Sequence, residues 1–250
     1  MKKYISLLIV LTTQLCYADT FQINYTQYAL RFSAWTVLAL SNNYFDNNLI
    51  SKPSEQDINN LDPDKINWFD QIGLVDYSQN LKDISDYTIY ANMFVASWLA
   101  YKNDNFFDDM LIFSESLIAQ DAIGKWTKTL SGRYRPFVYS NSVSMKKKRR
   151  PNSQHSFYSL HSSVAFSTAT FGYHLYYHNH GHNLLYATIL YATAAGTAAL
   201  RVVSAQHFPT DVIFGAIMGS SITYLICQSY KNPKVRINVT QNSLGFQYNF

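Results

Sequence analysis

The sequence predicts an all-α protein, a bundle of about six helices with a short β-hairpin at its C-terminus. Three observations carry this reading. Apolar residues recur at helical spacing through most of the chain. Strand-like alternation occurs only in the last sixteen or so residues. Asn, Asp and Pro collect between the periodic stretches, where turns belong.

Taken in order, residues 25–40 read as the first helix. Residues 42–70 are rich in Asn, Asp, Ser and Pro and read as a long loop with little core. Residues 86–101 set Tyr87, Tyr90, Phe94 and Trp98 on related faces of a helix, and the faces of Tyr90, Phe94 and Trp98 are expected to enter the core. Residues 108–130 form the next helix, followed by a polar and basic stretch, 131–157, that holds Pro136 and Pro151. Residues 159–177 are helical again. Residues 183–203 and 211–229 are helices apolar nearly all round. In the tail, Val235, Ile237 and Val239 alternate with Arg236, Asn238 and Thr240, and after a polar turn Phe246, Tyr248 and Phe250 alternate again. That is the hairpin, expected to pack on the bundle.

Composition narrows the class. The 250 residues suffice for one substantial core. Charged residues are 14% and aromatics 16%, with 20 Tyr and 16 Phe, which excludes a disordered chain. A net charge of +4 excludes the usual basic nucleic-acid binder. Mean hydropathy is −0.14, low for a polytopic membrane protein. The uncharged runs 184–200 and 212–227 fall short of the roughly 20 residues a span needs, so both are expected as buried core helices.

The N-terminus has the form of an export signal. Lys2 and Lys3 precede the apolar run 5–11, and Cys16 and Ala18 are small residues three and one positions before Asp19. The expected organisation is a signal peptide at 1–18, a helical domain at 19–230 and the hairpin at 231–250, in a periplasmic or secreted protein. Cleavage removes Cys16 and leaves Cys227 alone, so no intramolecular disulfide forms. Cys227, within an apolar run, reads as a small buried hydrophobe.

Three segments carry chemistry: Lys128 to Arg135 and Pro136, Ser159 to His161, and Arg201 to Asp211. Lys128, Arg135 and Arg201 bring three cations from separate segments, which converge only where an anion compensates them. Ser159 reads as an N-cap, leaving the Leu160 and His161 amides at a helix N-terminus, where phosphate is favoured. His207 and Asp211 are four apart across Pro209. Asp211 can accept from one ring nitrogen and leave the other free to attack. His161 is a second imidazole, suited to protonating a leaving oxygen.

These residues resemble the type 2 phosphatidic acid phosphatase family, which shares its fold with bacterial non-specific acid phosphatases and vanadium haloperoxidases. The family's first motif is Lys, six residues, then Arg-Pro; Lys128, Arg135 and Pro136 match it. The second is Pro-Ser-Gly-His; Ser159 and His161 match, with Tyr158 for Pro and Leu160 for Gly. The third is Ser-Arg, five residues, His, three residues, Asp; Arg201, His207 and Asp211 match, with Leu200 for Ser. Leu160 keeps the amide but adds bulk, and Leu200 removes a hydroxyl.

The resemblance implies a haloperoxidase-like helical fold and a metal-independent phosphatase without cofactor. On that pattern His207 attacks phosphorus, Asp211 orients it, and His161 serves as acid and then base. Lys128, Arg135, Ser159, the Leu160 amide and Arg201 hold the phosphoryl oxygens. The implied partner is a phosphorylated substrate, a lipid phosphate foremost, with peripheral membrane contact and no nucleic acid. Two rival readings use the same residues: a phosphate- or lipid-binding protein without turnover, and a vanadate-dependent haloperoxidase.

Two further clusters read as structural. His174, His178, His180 and His182 lie around a helix C-terminus, where the dipole favours His and no carboxylate or Cys completes a metal site. The basic run 146–150 reads as a solvated loop near the mouth of the anion site.

Overall fold

The computed structural model describes residues 21, 23–101 and 105–231, together with the backbone of 235–240 and 243–248. The expected signal segment, 1–18, lies outside the described residues. Six long helices make the fold: α1 (Tyr25–Leu49), α2 (Gln79–Tyr101), α3 (Phe106–Ser131), α4 (Leu160–His180), α5 (Leu184–Val203) and α6 (Pro209–Lys231). Helix α4 is central, packing chiefly on α6, α5 and α2, while α1 packs on α3. Val235–Thr240 and Ser243–Tyr248 run antiparallel, Val235 opposite Tyr248. The fold class rests on the helices, and this two-stranded pair adds no layer to it.

The helix ends follow local chemistry. Asn24 caps α1 by accepting from the Thr26 and Gln27 amides. Gly132, at φ 56°, closes α3 in the left-handed conformation that suits glycine. Ser159 caps α4 and Asn183 caps α5. Pro209 opens α6, where its fixed φ fits and its missing N–H costs nothing.

Helix α1 runs past residue 40 to Leu49, through residues expected as loop. Tertiary hydrogen bonds override the weak local propensity. Asn42 is buried and donates to Thr129 Oγ1 at 3.0 Å; Thr129 donates to Asp46 Oδ1 at 3.1 Å. The rest of that expected loop also contributes core, against expectation. Ser54 and Asp57 form a capping box on a short helix, Glu55–Asn59, whose Ile58 buries against Phe137, Val138, Val143 and Ala205.

Helix α2 corrects a second expectation. Its periodicity is real, but Tyr87, Tyr90 and Phe94 are 72%, 69% and 68% exposed, and Trp98 is 50% exposed. The buried face is made of small residues, Ser85, Ala96 and Ala100. A period of 3.6 marks a stripe; it does not say which stripe meets protein.

Helices α5 and α6 are likewise not the buried core helices expected. Only 33% of the apolar stretch of α5 and 39% of that of α6 is buried. Both are long and apolar enough to cross a membrane by length and composition. Leu185, Ile189, Ile213, Ile217 and Leu225 are exposed.

The inner faces pack closely. Gly215 and Gly219 of α6 lie against Ser159 and Ser163 of α4 so tightly that a methyl group at either would drive into a backbone carbonyl oxygen. The Ser162 hydroxyl donates to Val212 O at 2.7 Å beside them. Further along, Phe113 and Phe171 stack with centroids 4.8 Å apart, within a cluster that holds the fully buried Cys227. A buried Glu115 accepts from Tyr230 and pairs with Arg31 at 2.7 Å, tying α1, α3 and α6 together.

Candidate active site

Backbone hydrogen bonds bring the three motif segments together. The Ser159 amide donates to Asp211 O at 3.0 Å, joining the start of α4 to the start of α6. The Arg135 amide donates to Ser153 O at 2.8 Å, and Phe137 N to Ala205 O at 3.0 Å, joining the segment after α3 to the α5–α6 turn. The buried cluster of Phe137, Val138 and Ala205 anchors the residues beside Arg135 and Gln206.

Asp211 is fully buried. Its Oδ2 accepts from the Phe208 amide at 2.9 Å and from Ser156 Oγ at 2.5 Å; its Oδ1 accepts from Arg133 Nη1 at 2.6 Å. Burial pushes its carboxyl up, against the pull of Arg133 and these hydrogen bonds. Arg133 also pairs with Asp70 at 2.6 Å, and Asp70, fully buried, accepts from the Thr210 amide at 2.9 Å and hydroxyl at 2.7 Å. Burial works against the Asp70 carboxylate, but these bonds hold it below the usual carboxylate range.

His207 is 1% exposed. Its Nδ1 stands 3.6 Å from Asp211 Oδ2. That is too long for the hydrogen bond expected from the spacing, because Asp211 is already held by three other donors. Burial first, then the charges of Lys128, Arg135 and Arg201, hold the imidazole well below its ordinary range. The ring is therefore neutral.

The cations lie close around it. Arg201 donates through Nη1 to Ser85 Oγ at 2.9 Å and to Asp86 Oδ1 at 3.0 Å. Gln206 Oε1 accepts from Arg135 Nη1 at 2.7 Å and from Arg201 Nη2 at 3.5 Å. Lys128 Nζ donates to His155 O at 2.9 Å. Burial and the Arg135 charge push Arg201 down to about 9, and burial pushes Arg135 down to about 10; both stay charged at neutral pH. Arg135 Nε, Arg201 Nε and His207 Nδ1 are buried without a hydrogen-bond partner. Uncommitted buried donors at a convergence of cations fit an oxyanion.

The remaining expected residues take distinct places. Ser159 is fully buried and its hydroxyl accepts from the Ser162 amide at 3.3 Å, which spends it on the helix cap. Leu160 and His161 begin α4, so their amides belong to the turn that lacks intrahelical acceptors. The Leu160 side chain rests over Gly124, where a Cβ would come within 2.8 Å of it. His161 Nε2 is 2.8 Å from Asp86 Oδ1. Arg135, Leu160, His161 and Arg201 share a cleft of about 460 Å³ with Lys82, Asp86 and Gln206.

Several neighbours escaped the sequence reading. Asp70 and Asp86 lie far from the motifs along the chain. Arg133 and Gln206 sit inside the motif segments, at positions the spacing leaves open. Only the adjacency of Gln206 to His207 offered a signal.

The two structural clusters also resolve. His174 is buried and stacks on Phe21 at 5.1 Å, His180 stacks on Tyr176 at 4.7 Å, and His182 Nδ1 meets the Tyr173 hydroxyl at 2.9 Å. The basic run is less solvated than expected. Lys148 is buried, and Lys147 Nζ lies 3.1 Å from the centroid of the Tyr77 ring. Arg149 Nε donates to Pro53 O at 3.3 Å.

No curated protein and no solved structure matches the chain. A family model described as the PAP2 superfamily matches residues 109–234, half of the chain, which covers all three motif segments and leaves out α1 and α2. The chain belongs to the PAP2 superfamily.

Proposed function

We propose that the protein is a metal-independent phosphatase that hydrolyses a phosphate monoester or diphosphate, a lipid phosphate foremost, through a phosphohistidine. The observation that carries this is the buried neutral His207 beside Arg135 and Arg201, each with an uncommitted Nε. Membership of the PAP2 superfamily supports phosphatase chemistry.

In the first step the His207 Nε2 lone pair attacks phosphorus in line with the leaving oxygen. The P–O bond breaks, and His161 gives that oxygen its proton. Positive charge develops on His207, and the fixed Asp211 carboxylate, 3.6 Å from Nδ1, stabilises it through its charge. In the second step His161 takes a proton from water as the hydroxyl attacks phosphorus and the P–N bond breaks. Lys128, Arg135, Arg201 and the first amides of α4 hold the equatorial oxygens throughout. These cations neutralise the phosphate, which removes the need for a divalent ion.

The exposed apolar faces of α2, α5 and α6 support a membrane-associated location that would present lipid substrates to the cleft. With residues 1–18 removed as a signal, the protein would work outside the cytoplasm.

The test is phosphate release from a panel of lipid and soluble phosphate esters, with and without EDTA. Turnover that survives EDTA and falls with vanadate supports the reading. Tight phosphate binding with no turnover on any substrate overturns it in favour of a binding protein, and halide oxidation with added vanadate and peroxide in favour of a haloperoxidase.

A further inference from the structure

Asp86 is a carboxylate placed among cations, on a helix outside the matched residues 109–234. Its Oδ1 meets His161 Nε2 at 2.8 Å and accepts from Arg201 Nη1 at 3.0 Å; its Oδ2 pairs with Lys82 at 2.6 Å. It lines the same cleft as Arg135, His161 and Arg201. Burial works against its ionisation, but the Lys82 hydrogen bond and the charges of His161 and Arg201 hold its carboxyl below the ordinary range. A charged acid in a pocket built for an anion competes with that anion, so its presence calls for a function.

We propose that Asp86 is the positioning residue of His161: it accepts from Nε2–H, fixes the tautomer so that Nδ1 faces the reaction, and balances the imidazolium.

The proposal rests on the role given to His161 above. The proton then moves at one atom in both steps. Nδ1–H of the imidazolium passes to the leaving oxygen as the P–O bond breaks, which leaves a neutral ring whose Nε2–H stays on Asp86. In the second step Nδ1 takes the proton of the attacking water. Asp211, engaged by Arg133, Ser156 and Phe208, is the corresponding acid for the other imidazole. Each histidine thus has its own carboxylate, one inside the matched region and one supplied by α2.

The charged and titratable groups around His161 are Asp86 and Lys82 on α2, Arg135 after α3, Arg201 on α5 and His207 beyond it. Burial and then Arg201 push His161 down to about 3, with Asp86 acting in the opposite sense, so the acid form also requires the negative charge of a bound phosphate beside Arg201 to raise it. Removing the Asp86 charge lowers that value further. An acid must be protonated to act, so the alkaline limb of the pH profile moves to lower pH.

The experiment compares wild type with Asp86→Asn and Asp86→Glu. For an alkyl phosphate, a poor leaving group, kcat should fall about 10²-fold or more in Asp86→Asn, as for a lost general acid. For p-nitrophenyl phosphate it should fall far less. Vanadate should bind more tightly, because a competing negative charge has left the cleft. Asp86→Glu should restore part of the alkyl phosphate rate. An equal loss on both substrates, with pH profile and vanadate affinity unchanged, means a merely structural role and overturns the proposal. Imidazole ¹⁵N NMR of the same proteins reads the His161 tautomer without turnover. If wild type proves inactive, a proton on Nε2 that loses its preference in Asp86→Asn sustains the positioning role while the phosphatase reading fails. The same tautomer in both proteins overturns it.

Discussion

Asp211 Oδ2 stands 3.6 Å from His207 Nδ1, near enough for its charge to act and too far for a hydrogen bond, because three other donors hold the carboxylate in place. The acid is set before the imidazole becomes charged. His207→Ala should therefore abolish turnover and the trapped phosphoenzyme. Asp211→Asn should keep the shape and cost ~10⁴-fold in kcat by analogy with triad enzymes. Phosphohistidine is acid-labile and base-stable, so acid and base treatment of the trapped enzyme checks the assignment. A phosphoenzyme that persists in His207→Ala and disappears in His161→Ala would reverse the two roles.

Arg133 neutralises two buried carboxylates at once, with 2.6 Å contacts to both Asp70 and Asp211. Arg133→Ala leaves both charges unpaired, and the expected loss is about 3–5 kcal/mol of folding stability. Denaturant unfolding of the variant against wild type measures it; a change within about 0.5 kcal/mol, as for an ordinary surface site, would contradict it.

Asp70 also gives stability a pH dependence. Its folded carboxyl is held below 3.8, so its contribution is fully present above that value and is lost as pH falls through the lower folded value. Asp211 is shifted the other way, so its charged form costs stability above 3.8 and that cost is relieved in acid. Asp70→Asn should accordingly flatten the acid limb of the stability curve, and Asp211→Asn should not. Thermal midpoints across acidic pH separate the two.

The exposed aromatic face of α2 predicts lipid contact. Phe94→Glu and Trp98→Glu should lower co-sedimentation with vesicles several-fold and slow hydrolysis of a lipid phosphate in those vesicles. Hydrolysis of a short soluble ester should change little, because neither side chain lines the cleft. Equal vesicle binding by wild type and variants would remove this surface from consideration.

Much of the candidate site was legible because its polar groups sit in short motifs near helix ends. Lys128 with Arg135, Ser159 with His161, and Arg201 with His207 need only local spacing to be seen, and the fold joins them. Asp86 and Asp70 were illegible because their partners lie far along the chain, and a lone acid in a helix or loop has no local signature. Helix α1 beyond residue 40 was lost for the same reason, since Asn42 and Asp46 find Thr129 only in three dimensions. The aromatic stripe of α2 failed differently. Its period revealed the helix, but apolarity cannot tell a protein neighbour from a lipid one.

Gly215 and Gly219 bring α6 against α4 backbone to backbone, directly under the caps that carry Ser159 and His161. A contact without side chains has no rotamers, so it works like the closed jaw of a caliper. The start of α4, which carries His161, is thereby held at a fixed distance from α6. The cleft is also lined by side chains of α2, Lys82, Ile89 and Tyr90, which are not part of that seam. New substrates would therefore be accommodated by sequence change along α2, while the α4–α6 seam tolerates almost none.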